Sequence, residues 1–142
     1  MTLLYAHALA TIFMAGVIWF VQVVHYPLFA AIDPEQFPQY EKKHTFLTTF
    51  VVMPPMFVEL GTAIWLVFGQ SVEVNQRLAI IGLILVGILW LSTFLVQVPC
   101  HRALEKSFDV RVIQRLIRTN WLRTALWSVR AVLSLWMIPS GG

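Results

Sequence analysis

Apolar residues run almost unbroken from Leu3 to Phe29, and no Asp, Glu, Lys or Arg occurs before Asp33. Two more long apolar runs follow. Between Lys43 and Glu73 the only charged residue is Glu59, and between Arg77 and Arg102 there is none. A helix needs about 20 apolar residues to cross the roughly 30 Å hydrocarbon core of a bilayer, so each run is long enough. A fourth run, from about Thr119 to Ile138, carries Arg123 and Arg130 within it. The pattern predicts an all-α fold. It would be an integral membrane, antiparallel four-helix bundle in one transmembrane domain, with spans at about 3–29, 45–69, 78–100 and 119–138. The first run lacks a basic leading region and a small-residue cleavage site, so it reads as a retained helix.

Three connections join these spans. The first, Ala31 to Lys43, holds Asp33-Pro34-Glu35 and Pro38, which are turn and helix-start signals. The second, Gln70 to Gln76, is short and polar. In the third, Phe108, Val112, Ile113, Leu116 and Ile117 alternate with Arg111, Arg115 and Arg118. That alternation predicts a basic amphipathic helix at about 107–118, lying on the membrane surface. Connections one and three carry Lys42, Lys43, Arg102, Lys106, Arg111, Arg115 and Arg118, against only Arg77 on the other side. Lys and Arg are retained on the cytoplasmic side, so both termini are expected on the non-cytoplasmic side, in a bacterial inner membrane. Span one ends Gln22-Val23-Val24-His25 and span three ends Gln97-Val98-Pro99-Cys100-His101, each with a Trp a few residues earlier. Two repeated helix pairs would account for the likeness.

Helical geometry advances about 100° per residue, so spacings of three, four, seven and eleven share a face. By that rule each span has one polar stripe. His7, Thr11, Gln22 and His25 share a face in span one. In span two His44, Thr48, Glu59 and Thr62 do so, with Pro54-Pro55 distorting the helix between them. Thr93, Gln97 and His101 form a ladder in span three, and Asn120, Arg123, Trp127, Arg130 and Ser134 a stripe in span four. Polar side chains are costly in lipid, so these stripes should meet inside the bundle. With connections one and three on the same side, His25, His44 and His101 all reach the cytoplasmic end. Three imidazoles with an open position are a metal-binding arrangement, and imidazole is also the usual haem ligand. The expected metal ligands are therefore His25, His44 and His101, with haem the lesser alternative. Gln22, Gln97 and Asn120 are the expected cofactor-binding residues beside them. Glu59 and Arg130 should pair, because an isolated charge at mid-membrane costs at least about 2.5–3.5 kcal/mol. Glu59, Arg123 and Arg130 are the candidate catalytic residues: Glu59 as proton carrier or acid/base group, Arg123 with Asn120 for an anionic or carbonyl group of the substrate.

Composition narrows the class. The apolar fraction is 58% and the charged fraction 12%, where an average soluble domain has about 45–50% and about 25%. The chain is too apolar for an ordinary soluble enzyme. A net charge of +3, with two arginines inside an apolar run, is no nucleic-acid footprint. The single cysteine, Cys100, excludes an intrachain disulfide. The expected partners are the lipid bilayer, a hydrophobic small molecule, and a second copy or a larger membrane complex.

The segment Asn120-Trp121-Leu122-Arg123-Thr124, preceded by Pro99 at the end of span three, resembles the end of the anthrone-oxygenase-like family of small four-helix membrane proteins. The likeness covers the last third of the chain and is carried by Pro99, Asn120, Trp121, Arg123 and Thr124. It implies oxygen-dependent chemistry on a hydrophobic aromatic substrate. A second family of similar size, the membrane protoporphyrinogen oxidases, carries an Arg at the end of its first span. Here His7, Trp19 and His25 have no Arg nearby.

Each feature also has a plainer reading. A His at a membrane edge can simply cap a span. Glu59 and Arg130 can be a structural ion pair, Arg123 can snorkel to headgroups with Trp127 stacked on it, and Cys100 can be a small apolar filler. Two functions follow. One is a membrane oxidoreductase or oxygenase with a His-ligated metal or haem near the cytoplasmic face, acting on a hydrophobic substrate. The other is a non-enzymatic membrane subunit, or a lipid- or ion-handling module, whose polar stripes only hold the bundle together.

Overall fold

The computed structural model describes residues 1–69 and 74–138. Four helices account for nearly all of them: α1 Thr2–Ala31, α2 Phe37–Phe68, α3 Gln76–Leu104 and α4 Val110–Trp136. No strand occurs among the described residues. The all-α four-helix fold is as the pattern predicts. α1, α2 and α3 are long and apolar enough to cross a membrane. α4 is as long as a span at 27 residues, but its first turns are charged.

The helix starts follow local chemistry. The Asp33 carboxylate accepts the Glu35 N–H at 2.8 Å, and the Asp33 carbonyl accepts Phe37 N–H at 2.9 Å, closing a tight turn before α2. Asn75 caps α3 by accepting Arg77 N–H, and Asp109 caps α4 by accepting Arg111 and Val112 N–H. Two boundaries differ from the expected ones. α2 begins at Phe37 rather than near residue 45, so Glu41, Lys42 and Lys43 are helical. The amphipathic stretch before the fourth span is no separate surface helix. It is the start of α4, and its apolar residues Ile113 and Leu116 are buried against the ends of α1, α2 and α3.

α1 and α3 share a local irregularity. In each, one turn is wide: Tyr26 N–H reaches the Val21 carbonyl and Val98 N–H reaches the Thr93 carbonyl, five residues back. Each wide turn ends just before a proline, Pro27 or Pro99. Proline has no N–H to give and its ring crowds the carbonyl four residues back, so widening the preceding turn relieves the conflict. Pro54-Pro55 lies within a continuous α2.

The interior alternates apolar and polar layers along the bundle. At one end Tyr26, Phe29, Phe37, Cys100, Leu104, Ile113 and Leu116 pack together. In the middle Met14, Ile18, Met56, Leu89 and Trp127 do. At the other end, beside the Gly69–Asn75 connection, Leu4, Leu66, Ala79 and Met137 do. The polar stripes fill the two levels between. Their burial satisfies a bundle whose outside is apolar, with Phe50, Phe68, Leu95 and Trp136 among many exposed hydrophobics. That inversion suits lipid as the surrounding solvent.

Candidate metal centre and apolar cleft

The level between the first two apolar layers gathers most of the candidate residues. His25, His44 and His101 come together there, as the depth argument requires. The His25 and His44 rings lie 4.4 Å apart centre to centre, and His44 and His101 5.7 Å. The group whose ligand atoms all lie within 4.8 Å of one another is Glu41, His44 and His101. The expected set of three histidines therefore changes by one member: Glu41 joins it, and His25 stands one hydrogen bond outside. His25 Nε2 is 3.0 Å from His44 Nδ1, which also lies 3.1 Å from Thr48 Oγ1. Both contacts fall on Nδ1, so Nε2 is the His44 nitrogen available to a ligand.

Glu41 is fully buried. One carboxylate oxygen accepts the His101 Nδ1–H in a short contact, and the other has no partner. Since Nδ1 must donate to the carboxylate, a neutral His101 accepts the Tyr26 O–H at Nε2, 3.1 Å away. Sequence reasoning missed Glu41 because it counted Lys42 and Lys43 into a loop. The signal was there: Glu41-Lys42-Lys43-His44 spaces a carboxylate and an imidazole by three, which puts both on one helix face. Tyr26 carried no signal beyond its place next to His25.

The residues expected to hold a cofactor mostly hold each other. Asn120 Nδ2 donates to Gln22 Oε1 at 2.9 Å, Gln22 Nε2 to the Ile117 carbonyl at 3.3 Å, and Gln97 Nε2 to Thr119 Oγ1 at 3.0 Å. Arg123 donates from Nη1 to Asn120 Oδ1 at 2.9 Å and lies 5.0 Å from the Trp127 ring centre. The second polar level lies deeper. Arg130 Nε donates to Glu59 Oε1 at 2.9 Å, and Trp127 Nε1 to Glu59 Oε2 at 3.1 Å. Arg130 also reaches the Gly82 carbonyl. His7, set apart from the main cluster by sequence, meets Thr62 Oγ1 there at 2.8 Å. The Glu59–Arg130 pair forms as expected, one level away from the histidines. Among the described residues, these two carboxylates are the ones within 4.0 Å of a His or Arg nitrogen.

A cavity of about 450 Å³ opens between α2 and α3. α2 packs against the Gln76–Ser92 part of α3 and meets it again at Val98–Leu104, and the cavity lies between, beside the Thr93–Gln97 turn. The mouth is apolar, with Phe46, Phe94 and Val52 on its walls, and the inner surface includes Tyr26, His44, His101, Gln97 and Arg123. Phe46 and Phe94 are more than half exposed, so the opening faces sideways, where lipid would lie. The size falls within the roughly 300–1,000 Å³ typical of small-molecule pockets.

Comparison with known proteins finds no matching family model, no similar curated protein and no similar solved structure.

Proposed function

We propose that this chain is a membrane-embedded metalloenzyme that oxidises a lipophilic molecule admitted through the α2–α3 cleft. One observation carries the reading: a fully buried carboxylate, Glu41, converges with His44 and His101, and the two histidines line an apolar cavity. Two imidazoles and one carboxylate with open positions are the donor set of non-haem Fe(II) oxygenases, and also of His₂Glu zinc sites. Metal–ligand bonds of about 2.0–2.2 Å place tetrahedral donors about 3.4 Å apart; the donors here lie within 4.8 Å of one another, and binding would part the Glu41–His101 hydrogen bond or displace the Tyr26 hydroxyl to free a His101 nitrogen for the ion. The free Glu41 oxygen has a lone pair to give. The histidine rings stand too close for a porphyrin between them, which favours a compact ion over haem. His25 would orient His44 from behind, as outer hydrogen-bond partners of metal ligands commonly do. When bound, the metal would supply the redox or Lewis-acid chemistry. The chain's own contribution would be to keep water out and hold the substrate in the cleft. The basic residues flanking this end favour the cytoplasmic side for it, with both termini opposite.

A second reading rests on the hydrogen bonds just described. Gln22, Asn120 and Thr119 find partners within the bundle, as pure helix glue would. Metal analysis separates the two. Detergent-purified protein loaded with Fe(II) without oxygen, or with Zn(II), should retain about one ion per chain, and Glu41→Gln or His101→Ala should lose it. His25→Ala should weaken binding by about 10–100-fold without abolishing it. A chain that retains no metal after either loading would exclude the enzyme reading and leave the helix-glue one.

A further inference from the structure

Two buried polar atoms of cavity-lining residues have no protein partner: Arg123 Nε and Gln97 Oε1. Both residues line the cleft and both are more than nine-tenths buried. Their chemistry is opposite. Arg123 presents a cationic N–H, and no carboxylate lies within 4.0 Å of it among the described residues. Its neighbours, the Asn120 amide oxygen, the Tyr26 hydroxyl and the Trp127 ring, are neutral. Gln97 presents an acceptor, and its orientation is set by the network. The Thr119 hydroxyl gives its proton to the Arg115 carbonyl at 2.8 Å, so its oxygen must accept from Gln97 Nε2. The amide oxygen is left unpaired. Leaving a buried donor or acceptor unmade costs about 1–3 kcal/mol, more for a charged group.

From this pair we infer that the cleft binds an apolar molecule whose head carries an acidic oxygen and a hydroxyl. The acidic oxygen accepts from Arg123 and supplies the counter-charge the bundle lacks. The hydroxyl donates to Gln97. The apolar body lies outward past Val52 and Phe94 to the lateral mouth. The inference rests on reading the cleft as the substrate entrance, and it names the head group that reading leaves open. A hydroxylated fatty acid and a hydroxybenzoate with an alkyl tail share this head chemistry and differ only in the body.

The test is equilibrium binding of radiolabelled 2-hydroxyhexadecanoic acid, its methyl ester, and hexadecanoic acid to the detergent-purified full chain. A long-chain alkyl salicylate serves as the aromatic arm. The hydroxy acid should bind saturably. Its ester should bind about 10–100-fold more weakly, as expected for a lost hydrogen bond to a charged group, and the unsubstituted acid about three- to tenfold more weakly. Arg123→Gln should erase the acid–ester difference, and Gln97→Leu the hydroxyl difference. Tighter binding of the salicylate would assign the aromatic body, and weaker binding the aliphatic one. Acid and ester binding equally well, or neither saturating, would overturn the inference. The ligand-side comparison needs no variant, so a poorly folded Arg123→Gln protein does not blunt it. Metal content is measured on the same samples: its retention alongside failed discrimination would sink this inference alone, whereas its absence would sink the metalloenzyme reading.

Discussion

Glu59→Gln tests whether the deeper polar level is as dry as it looks. Glu59 is fully buried, and both of its oxygens are occupied, one by Arg130 and one by Trp127. Glutamine keeps the shape and one oxygen acceptor, so the surrounding packing is not disturbed. What goes is the counter-charge of a guanidinium that is itself 2% exposed. Breaking a buried ion pair from one side costs about 3–5 kcal/mol. Insertion scales put an uncompensated charge at mid-membrane at about 2.5–3.5 kcal/mol or more. The two estimates overlap near 3 kcal/mol. Neutral hydrogen bonds between membrane helices are worth far less, about 0.6 kcal/mol on average. An effect near 3 kcal/mol therefore reports charge and not geometry. Arg130→Met should cost less than Glu59→Gln, because a carboxyl left alone can be neutralised by a proton and a guanidinium keeps its charge. The double variant Glu59→Leu/Arg130→Met should recover most of the loss, as apolar replacements of buried pairs often do. The assay is SDS-driven unfolding in mixed micelles, followed by far-ultraviolet circular dichroism, with the coupling taken from the double-mutant cycle of Glu59→Leu, Arg130→Met and their combination. A Glu59→Gln protein within about 0.5 kcal/mol of the parent, the range of an ordinary surface substitution, would refute the reasoning. It would mean that water reaches the pair.

Two other predictions follow from the wide turn and the basic end. Pro99→Ala restores the missing N–H and should let the Thr93–Gln97 turn tighten to α pitch, rotating His101 by about 100° relative to the helix before it. Helical content should hold while affinity for added Fe(II) or Zn(II) falls at least about tenfold; unchanged metal binding would show that something other than the proline sets the turn. A reporter fused to the amino terminus in a bacterial host should read as non-cytoplasmic, and one placed in the Ala31–Phe37 connection as cytoplasmic; the opposite result would reverse the orientation drawn from the basic residues.

How far the site was legible in the sequence depends on what kind of evidence each residue leaves there. Glu59 and Arg130 could be paired on paper because each is an isolated charge in an apolar run, and the cost of leaving it alone forces a partner. His25, His44 and His101 could be brought to one level because alternating spans fix depth and the polar stripes fix the face. Glu41 was hidden by its neighbours: Lys42 and Lys43 look like loop, and only the helix start at Phe37 reveals that position 41 points inward while they point out. The start of α4 misled for a related reason. A basic amphipathic stretch on a membrane surface and the end of a bundle helix with arginines on its outer face have the same periodicity, and only the packing of Ile113 and Leu116 distinguishes them. The amides were the hardest. Gln22, Gln97 and Asn120 can each serve as ligand or as glue, and the stripe pattern is the same for both. The atoms left over decide between them. Every amide nitrogen and oxygen of Gln22 and Asn120 has a partner in the bundle, while Gln97 and Arg123, which line the same cavity, each end with one polar atom unpaired. Periodicity locates the polar face of each helix, but only a hydrogen-bond account of the folded bundle separates the side chains that complete the protein from those that await something else.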